Sequence, residues 1–223
     1  MAAAGTMADG HHDSGTGAFM GAALTVRNIT KQFGRRLVLD HADLDLHTGE
    51  AVALIGENGA GKSTLLRICA GLLAPDDGTV MVDGAIGYCP QEPGLLDLLN
   101  ADEHLVLFGR AHGLSRADAL AAGHGLLTEL GFPVGRSEQT RQLSGGSRQK
   151  LNLALALLGQ RDILLLDEPY QGFDHGTYVS FWHHVDQWRD EGKGVLVVTH
   201  MLAELHRVDR VVELSIPAST AVA

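Results

Sequence analysis

Nine consecutive residues, Gly56-Glu57-Asn58-Gly59-Ala60-Gly61-Lys62-Ser63-Thr64, carry the densest chemistry in this sequence. They fit the spacing G-x-x-x-x-G-K-[ST], and they sit between the apolar run Ala51 to Ile55 and the apolar stretch LLRIC. Glycines at these positions let the backbone curl until successive N–H groups point inward, a geometry that holds phosphate oxygens. The helix that follows adds about half a positive charge at its start. Lys62 is then expected to reach the β- and γ-phosphates of a nucleotide, and Ser63 to offer its hydroxyl to Mg2+.

A second chemical group ends another apolar run. Ile163 to Leu166 lead into Asp167, Glu168 and Pro169. So short and continuous an apolar run reads as a central parallel strand. Carboxylates at the C-terminal end of such a strand lie where open α/β sheets bind ligands. Asp167 is expected to hold Mg2+, and Glu168, pointing the other way, to polarise a water. His200 ends the buried run GVLVVTH and is a candidate contact for a γ-phosphate. Three more places allow two readings on local grounds. Phe33 either stacks on a base or is a minor core residue. Gln91 follows a short strand and by itself reads as solvent-facing. Ser144, Gly145, Gly146 and Ser147 open a helical run, either as a second anion-binding helix start or as an ordinary N-cap.

The elements that must position these residues follow from periodicity. Ala23 to Thr30 and Val38 to Leu46 alternate apolar and polar residues, as half-buried antiparallel strands do, with KQFGRR as the turn between them. The phosphate-loop helix is expected from Lys62 to about Leu73. TVMVDG and AIGYC read as short strands. Residues 96–159 turn mostly helical. Ser115 is the N-cap of one of these helices, which Gly123 and Gly125 should weaken. His183 and His184 are adjacent and diverge around a helix, so they make a poor metal pair. A short helix follows His200, then a last strand, DRVVELS. Residues 1–22, rich in Gly, Ala, Ser and His, are expected to form a disordered arm, with Met7 and Met20 as alternative starts and His11 and His12 solvated. Residues 23–216 should form a single domain, and 217–223 a tail.

Bulk properties narrow the class. The chain has 223 residues, 45% of them hydrophobic, which suits a globular core. Its formal charge of −10 argues against a nucleic-acid binder. The two cysteines, Cys69 and Cys89, form no C-x-x-C pair, and Cys69 reads as a buried thiol in a reducing compartment. No apolar run approaches the roughly 18 residues that span a bilayer, and the N-terminus lacks the basic and apolar regions of a secretory signal. A cytoplasmic protein is expected, with any membrane role exerted through a partner.

The joint order of these pieces, over about residues 23–214, resembles the ATP-binding cassette (ABC) family. GENGAGKST is similar to its Walker A motif, ILLLDEP to Walker B with its catalytic glutamate, and LSGGSRQK to the signature that sets the family apart. On the same resemblance Phe33 is the aromatic that stacks on adenine. Gln91 is the Q-loop glutamine, counted with both the catalytic residues and the Mg2+ ligands. Asp174 is the D-loop aspartate, and His200 the switch histidine. The sequence departs from the pattern at Ser147, where Gln is usual, at Lys150, where Arg is frequent, and at Gly172 and Phe173 in the D-loop. Ser144 and Gly146, expected to touch the γ-phosphate, are intact.

The resemblance implies a fold: an α/β, P-loop NTPase (RecA-like) core with an antiparallel β subdomain and an inserted α-helical subdomain over about 96–159. It also implies a mechanism. Two cassettes face head to tail, with ATP and Mg2+ between the phosphate loop of one and the LSGGS of the other. A separately encoded transmembrane permease converts closure and opening into transport. That placement makes the chain peripheral on the inner face of the membrane. The segment PQEPGLLDLLNADEHLVLFGRAHGLS resembles the ABC-2 type exporter ATPases, and no regulatory domain fits after Ser215. Two other classes are a soluble, non-transport ABC ATPase, such as the iron–sulfur assembly type, and a module that senses ATP without turnover. Glu168 and His200 speak against the last.

Overall fold

The computed structural model describes residues 21–133, 135, 137–200 and 202–217. The expected arm and tail therefore lie almost wholly outside the described residues. Ala22, assigned to the arm, instead begins the first strand.

Strands β1 (Ala22–Phe33) and β2 (Arg36–His47) form an antiparallel hairpin. Its inward positions are Leu24, Val26 and Ile29 on one strand and Leu39, Ala42, Leu44 and Leu46 on the other, all buried. The turn is much shorter than KQFGRR. Lys31, Gln32 and Phe33 continue β1, Phe33 pairs with Arg36, and only Gly34 and Arg35 remain between the strands. Gly34 has φ 60, which lets so few residues reverse the chain. Strand β4 (Asp77–Val82) pairs with the other side of β1, giving a three-stranded sheet of order β2-β1-β4.

The second sheet is parallel. Its strands are β3 (Ala51–Ile55), β5 (Ile86–Cys89), β6 (Ile163–Asp167), β7 (Gly194–Val198) and β8 (Arg210–Glu213), in the order β5-β6-β7-β3-β8. β6 and β7 are buried at every position, the reason their sequences are unbroken apolar runs. The sheet's two faces feed two cores. Ile163, Leu165, Leu196 and Val198 pack towards α1 (Lys62–Cys69) and the antiparallel sheet. Leu164, Leu166, Val195 and Val197 pack with α4 (Gly145–Leu157) and α5 (His175–Asp190), including Leu151, Phe181 and Trp182. Because the strands are parallel, their C-terminal ends deliver Gly56, Gln91, Glu168 and His200 to one edge.

α1 stops at Cys69 rather than near Leu73. Gly71, at φ 70, donates to Ile68, and the Leu72 N–H donates to Arg67, a left-handed glycine stop. Between β5 and α4 lie α2 (Ala101–Ala111) and α3 (Arg116–Glu129). α3 starts at the expected cap, Ser115, but runs unbroken through Gly123 and Gly125. A Cβ on Gly123 would stand 2.3 Å from Leu105 Cδ2, and one on Gly109 2.3 Å from Ala119 Cβ. The contact of α2 with α3 outweighs the roughly 1 kcal/mol of helix propensity that a glycine forfeits. The short helix expected after His200 is present as a 3-10 helix, Leu202–Arg207.

Candidate functional site

Between β3 and α1 the chain follows a path that glycine must permit. Gly56 has φ 145, and a Cβ there would meet the Leu214 carbonyl oxygen at 2.3 Å. Gly61 has φ 96, and its Cβ would lie 2.7 Å from Leu39 Cδ2. The loop is thus pressed against β2 and the residue after β8. α1 begins at Lys62 with no side-chain cap. By contrast, Asn100, Ser115, Ser144 and Asp174 cap α2, α3, α4 and α5. The first N–H groups of α1 are therefore left for a ligand, and an anion suits both their geometry and the helix dipole. Lys62 is buried, and its ammonium folds back over the loop, donating to the carbonyls of Gly56 (2.7 Å) and Glu57 (3.0 Å).

Asp167, the last residue of β6, is buried, and its Oδ1 has no hydrogen-bond partner. Burial pushes its carboxyl up, and the nearby Glu168 adds to this, against a hydrogen bond from Ser63 and the charges of Arg67 and Lys62. An orphaned carboxylate oxygen beside a serine hydroxyl is a hard-oxygen set that fits Mg2+. Glu168 has φ 46, a left-handed conformation that carries strain in a non-glycine residue. Its N–H donates to the Val198 carbonyl (3.3 Å), and its Oε1 lies 2.7 Å from His200 Nε2. The strained turn thus aims Glu168 across the sheet edge at His200.

Lys62, Ser63, Glu168 and His200 border one cavity of about 630 Å³, within the usual range for small-molecule sites, while Asp167 is buried and reaches it only through its hydrogen bond with Ser63. Asn58, Gly59, Gly61, Lys62, Ser63 and Thr64 form its floor, and Gln91, Glu168 and His200 its far wall. Phe33, half exposed, stands at the mouth on the end of β1. Gly56, Glu57 and Ala60 shape the loop without lining the cavity. Arg36 and Val38 line it as well and were missed by sequence reasoning. Arg36 pairs across the hairpin with Phe33, and its guanidinium donates to the Gly59 carbonyl at 3.3 Å. The signal for it was the RR of the hairpin turn, which carries no motif of its own.

Ser144, Gly145, Gly146, Ser147 and Asp174 do not line this cavity. Ser144 caps α4, accepting from the Ser147 N–H at 3.2 Å and donating to the Ser147 hydroxyl at 3.0 Å. Ser144 and Gly145 are exposed. Asp174 caps α5 through the N–H and hydroxyl of Thr177, which hold its carboxyl down to about 2. The departures at positions 150, 172 and 173 meet one another in space. A Cβ on Gly146 would lie 2.4 Å from the Gly172 carbonyl oxygen. Lys150 Nζ stands 5.9 Å over the Phe173 ring and 3.7 Å from Asp174. The glycine and the Lys-Phe pair together fasten the segment after β6 to the start of α4.

Known proteins are similar to this chain in sequence and in fold. The family described as ABC transporter matches residues 39–171. An aliphatic sulfonates import ATP-binding protein of Pseudomonas syringae pv. tomato is 40% identical, over 87% of this chain and 71% of its own length. A Nod factor export ATP-binding protein of Cupriavidus metallidurans is 35% identical, over 85% of this chain and 66% of its own. Among solved structures, the ATP binding subunit of an ABC transporter superposes with a TM-score of 0.80 at 30% identity, over 88% of each chain. A bacterial ABC transporter cassette solved as a dimer gives 0.81 at 27% identity, over 86% of this chain and 94% of its own. The family match over residues 39–171 and the relatives at 40% and 35% identity agree with the fold, and the chain belongs to the ABC transporter family.

Proposed function

We propose that this chain is the ATP-binding and ATP-hydrolysing subunit of an ABC transporter and powers transport through a separately encoded permease. The observation that carries the reading is the convergence of Lys62, Ser63, Glu168 and His200 on one cavity at the C-terminal edge of a parallel sheet, with the buried Asp167 carboxylate hydrogen-bonded to Ser63. Phe33 stacks on the adenine. The uncapped start of α1 receives the phosphates, and Lys62 exchanges its two loop carbonyls for β- and γ-phosphate oxygens. Ser63, Asp167 and Gln91 would hold Mg2+, which would supply positive charge to neutralise the phosphates. Glu168 orients and deprotonates the attacking water, and His200 positions Glu168 and contacts the γ-phosphate.

The Ser144 segment and Asp174 lie outside this cavity, which supports a second copy, or a related cassette, completing the site head to tail. The relatives named above as ATP-binding proteins of import and export systems favour transport over the soluble alternative. We infer export from the segment PQEPGLLDLLNADEHLVLFGRAHGLS, the relatives including both an import and an export protein. Uptake driven by this chain and its permease would reverse that direction and leave the ATPase reading standing. Among the described residues no helix is long and apolar enough to cross a membrane. We place the protein in the cytoplasm, peripheral on the membrane through its permease, with residues 96–159 as the helical subdomain and no nucleic-acid partner.

Two variants test the reading. Lys62→Ala should abolish ATPase activity. Glu168→Gln should slow hydrolysis by about 10²–10⁴ and trap an ATP-bound dimer visible by size-exclusion chromatography. Activity that survives Lys62→Ala would remove the site, and a Glu168→Gln chain that stays monomeric with ATP would remove the two-chain arrangement.

A further inference from the structure

α4 buries two polar side chains, Gln149 and Asn152, among leucines and alanines. They lie about one turn apart and turn to the same place, the end of β5. Asn152 Nδ2 donates to the Pro90 carbonyl at 2.9 Å and lies 3.2 Å from Cys89 Sγ. Gln149 Nε2 approaches the same sulfur at 3.9 Å, and Gln149 Oε1 stands 3.5 Å from Asn152 Nδ2. Cys89 is wholly buried, and burial pushes its thiol up, so the sulfur is a neutral partner. An apolar helix face would pack here without this network, since an amide left unmatched in such a place costs about 1–3 kcal/mol. The network is also aimed. Its acceptor belongs to the residue immediately before Gln91.

Gln91 borders two spaces. One is the nucleotide cavity. The other is a cleft of about 300 Å³ shared with Gly145 and Arg148 at the start of α4 and with Gly172. The buried amides therefore join the segment that reaches this chain's own nucleotide to the helix that carries Ser144 to Ser147.

We propose that Asn152 is a positioning residue. It holds Pro90-Gln91 and α4 as one unit, so that a nucleotide engaged by Gln91 on this chain's own loop sets where its Ser144 segment stands for the second copy. Asn152 touches neither nucleotide nor cation, and acts only through Gln91 and α4. This inference rests on the function proposed above.

The test uses the full chain with Mg-ATP. Asn152→Leu keeps the branched shape and removes the donor, and Asn152→Ala is the second variant should the larger leucine fail to fold. Binding of a fluorescent ATP analogue to the monomer should stay at the wild-type level. ATP-dependent dimerisation in the Glu168→Gln background should weaken about tenfold, a usual size for coupling between sites. In the otherwise wild-type chain, kcat should fall by about the same factor with KM little changed. The decisive measurement is a double-mutant cycle. In a Gln91→Ala background the Asn152 substitution should add no further loss of kcat, because its route is already cut. Wild-type kcat and dimerisation, or losses that multiply in the double variant, overturn the proposal. A Lys62→Ala control separates the levels. If that control keeps its activity the parent reading fails, whereas if it is dead while Asn152→Leu is wild type, only the coupling role fails.

Discussion

Asp167 illustrates a residue retained against the interest of the empty fold. Its carboxyl is raised above the ordinary value by burial, so between the unfolded value near 4 and the raised folded value the native chain binds more protons than the unfolded one. Stability then falls as pH rises through that window, and the full penalty persists at neutral pH. Asp167→Asn should therefore raise the melting temperature of the nucleotide-free protein by about 2–4 °C per kcal/mol recovered, and should abolish the further rise that Mg-ATP gives the wild type. A melting temperature no higher than wild type would show that the ionised carboxylate is not the strained group. Asp167 and Lys62 were legible in the sequence because their chemistry is local to a strand end and a glycine loop. Arg36 and Val38 were not, because only the pairing of β1 with β2 carries them to the cavity.

At the scale of elements, the sequence reading did best where one side chain or one period decides the structure. Ser115 caps α3 as expected, and the apolar run before Asp167 is a buried parallel strand. It went astray where a tertiary contact decides. Gly123 reads as a weak point in a helix until Leu105 is found against it. KQFGRR reads as a turn until its first half is paired in the sheet. His104 had no assigned role, yet it anchors the entry to α2. Its Nδ1–H donates to the Asn100 carbonyl at 2.8 Å, and its Nε2 accepts from the Leu96 N–H at 2.9 Å, an arrangement that needs the neutral ring. Burial lowers its pKa below the ordinary value of 6.5. The unfolded chain then takes up the proton first, so the histidine's contribution is lost as pH falls below about 6.5. In denaturant melts, the stability gap between wild type and His104→Gln should narrow from pH 7.5 to pH 5.5. A gap independent of pH would mean that the ring's charge state is immaterial to this anchor.

At the scale of the whole molecule, the function proposed above gives one chain a nucleotide cavity and, away from it, an α4 start that another chain's nucleotide would meet. Specific ATPase activity should accordingly rise with protein concentration until the dimer saturates, and constant activity on dilution would mean that a monomer suffices. Each copy has a formal charge of −10, so association brings like charges together. Moderate salt screens that repulsion, and ATP-driven dimerisation of Glu168→Gln should strengthen from low to physiological ionic strength. Weaker dimerisation over that range would point to an interface governed by opposite charges.

The two neighbouring glycines at the start of α4 answer to different constraints. Gly145 has nothing near the place of a Cβ, while Gly146 lies against the Gly172 backbone. A substitution library read twice, once for soluble expression and once for transport, would separate them. Alanine at 145 should survive the first screen and vanish from the second, whereas alanine at 146 should be depleted in both. On the two-chain proposal, one glycine serves the chain that carries it, and the other a molecule it has yet to meet.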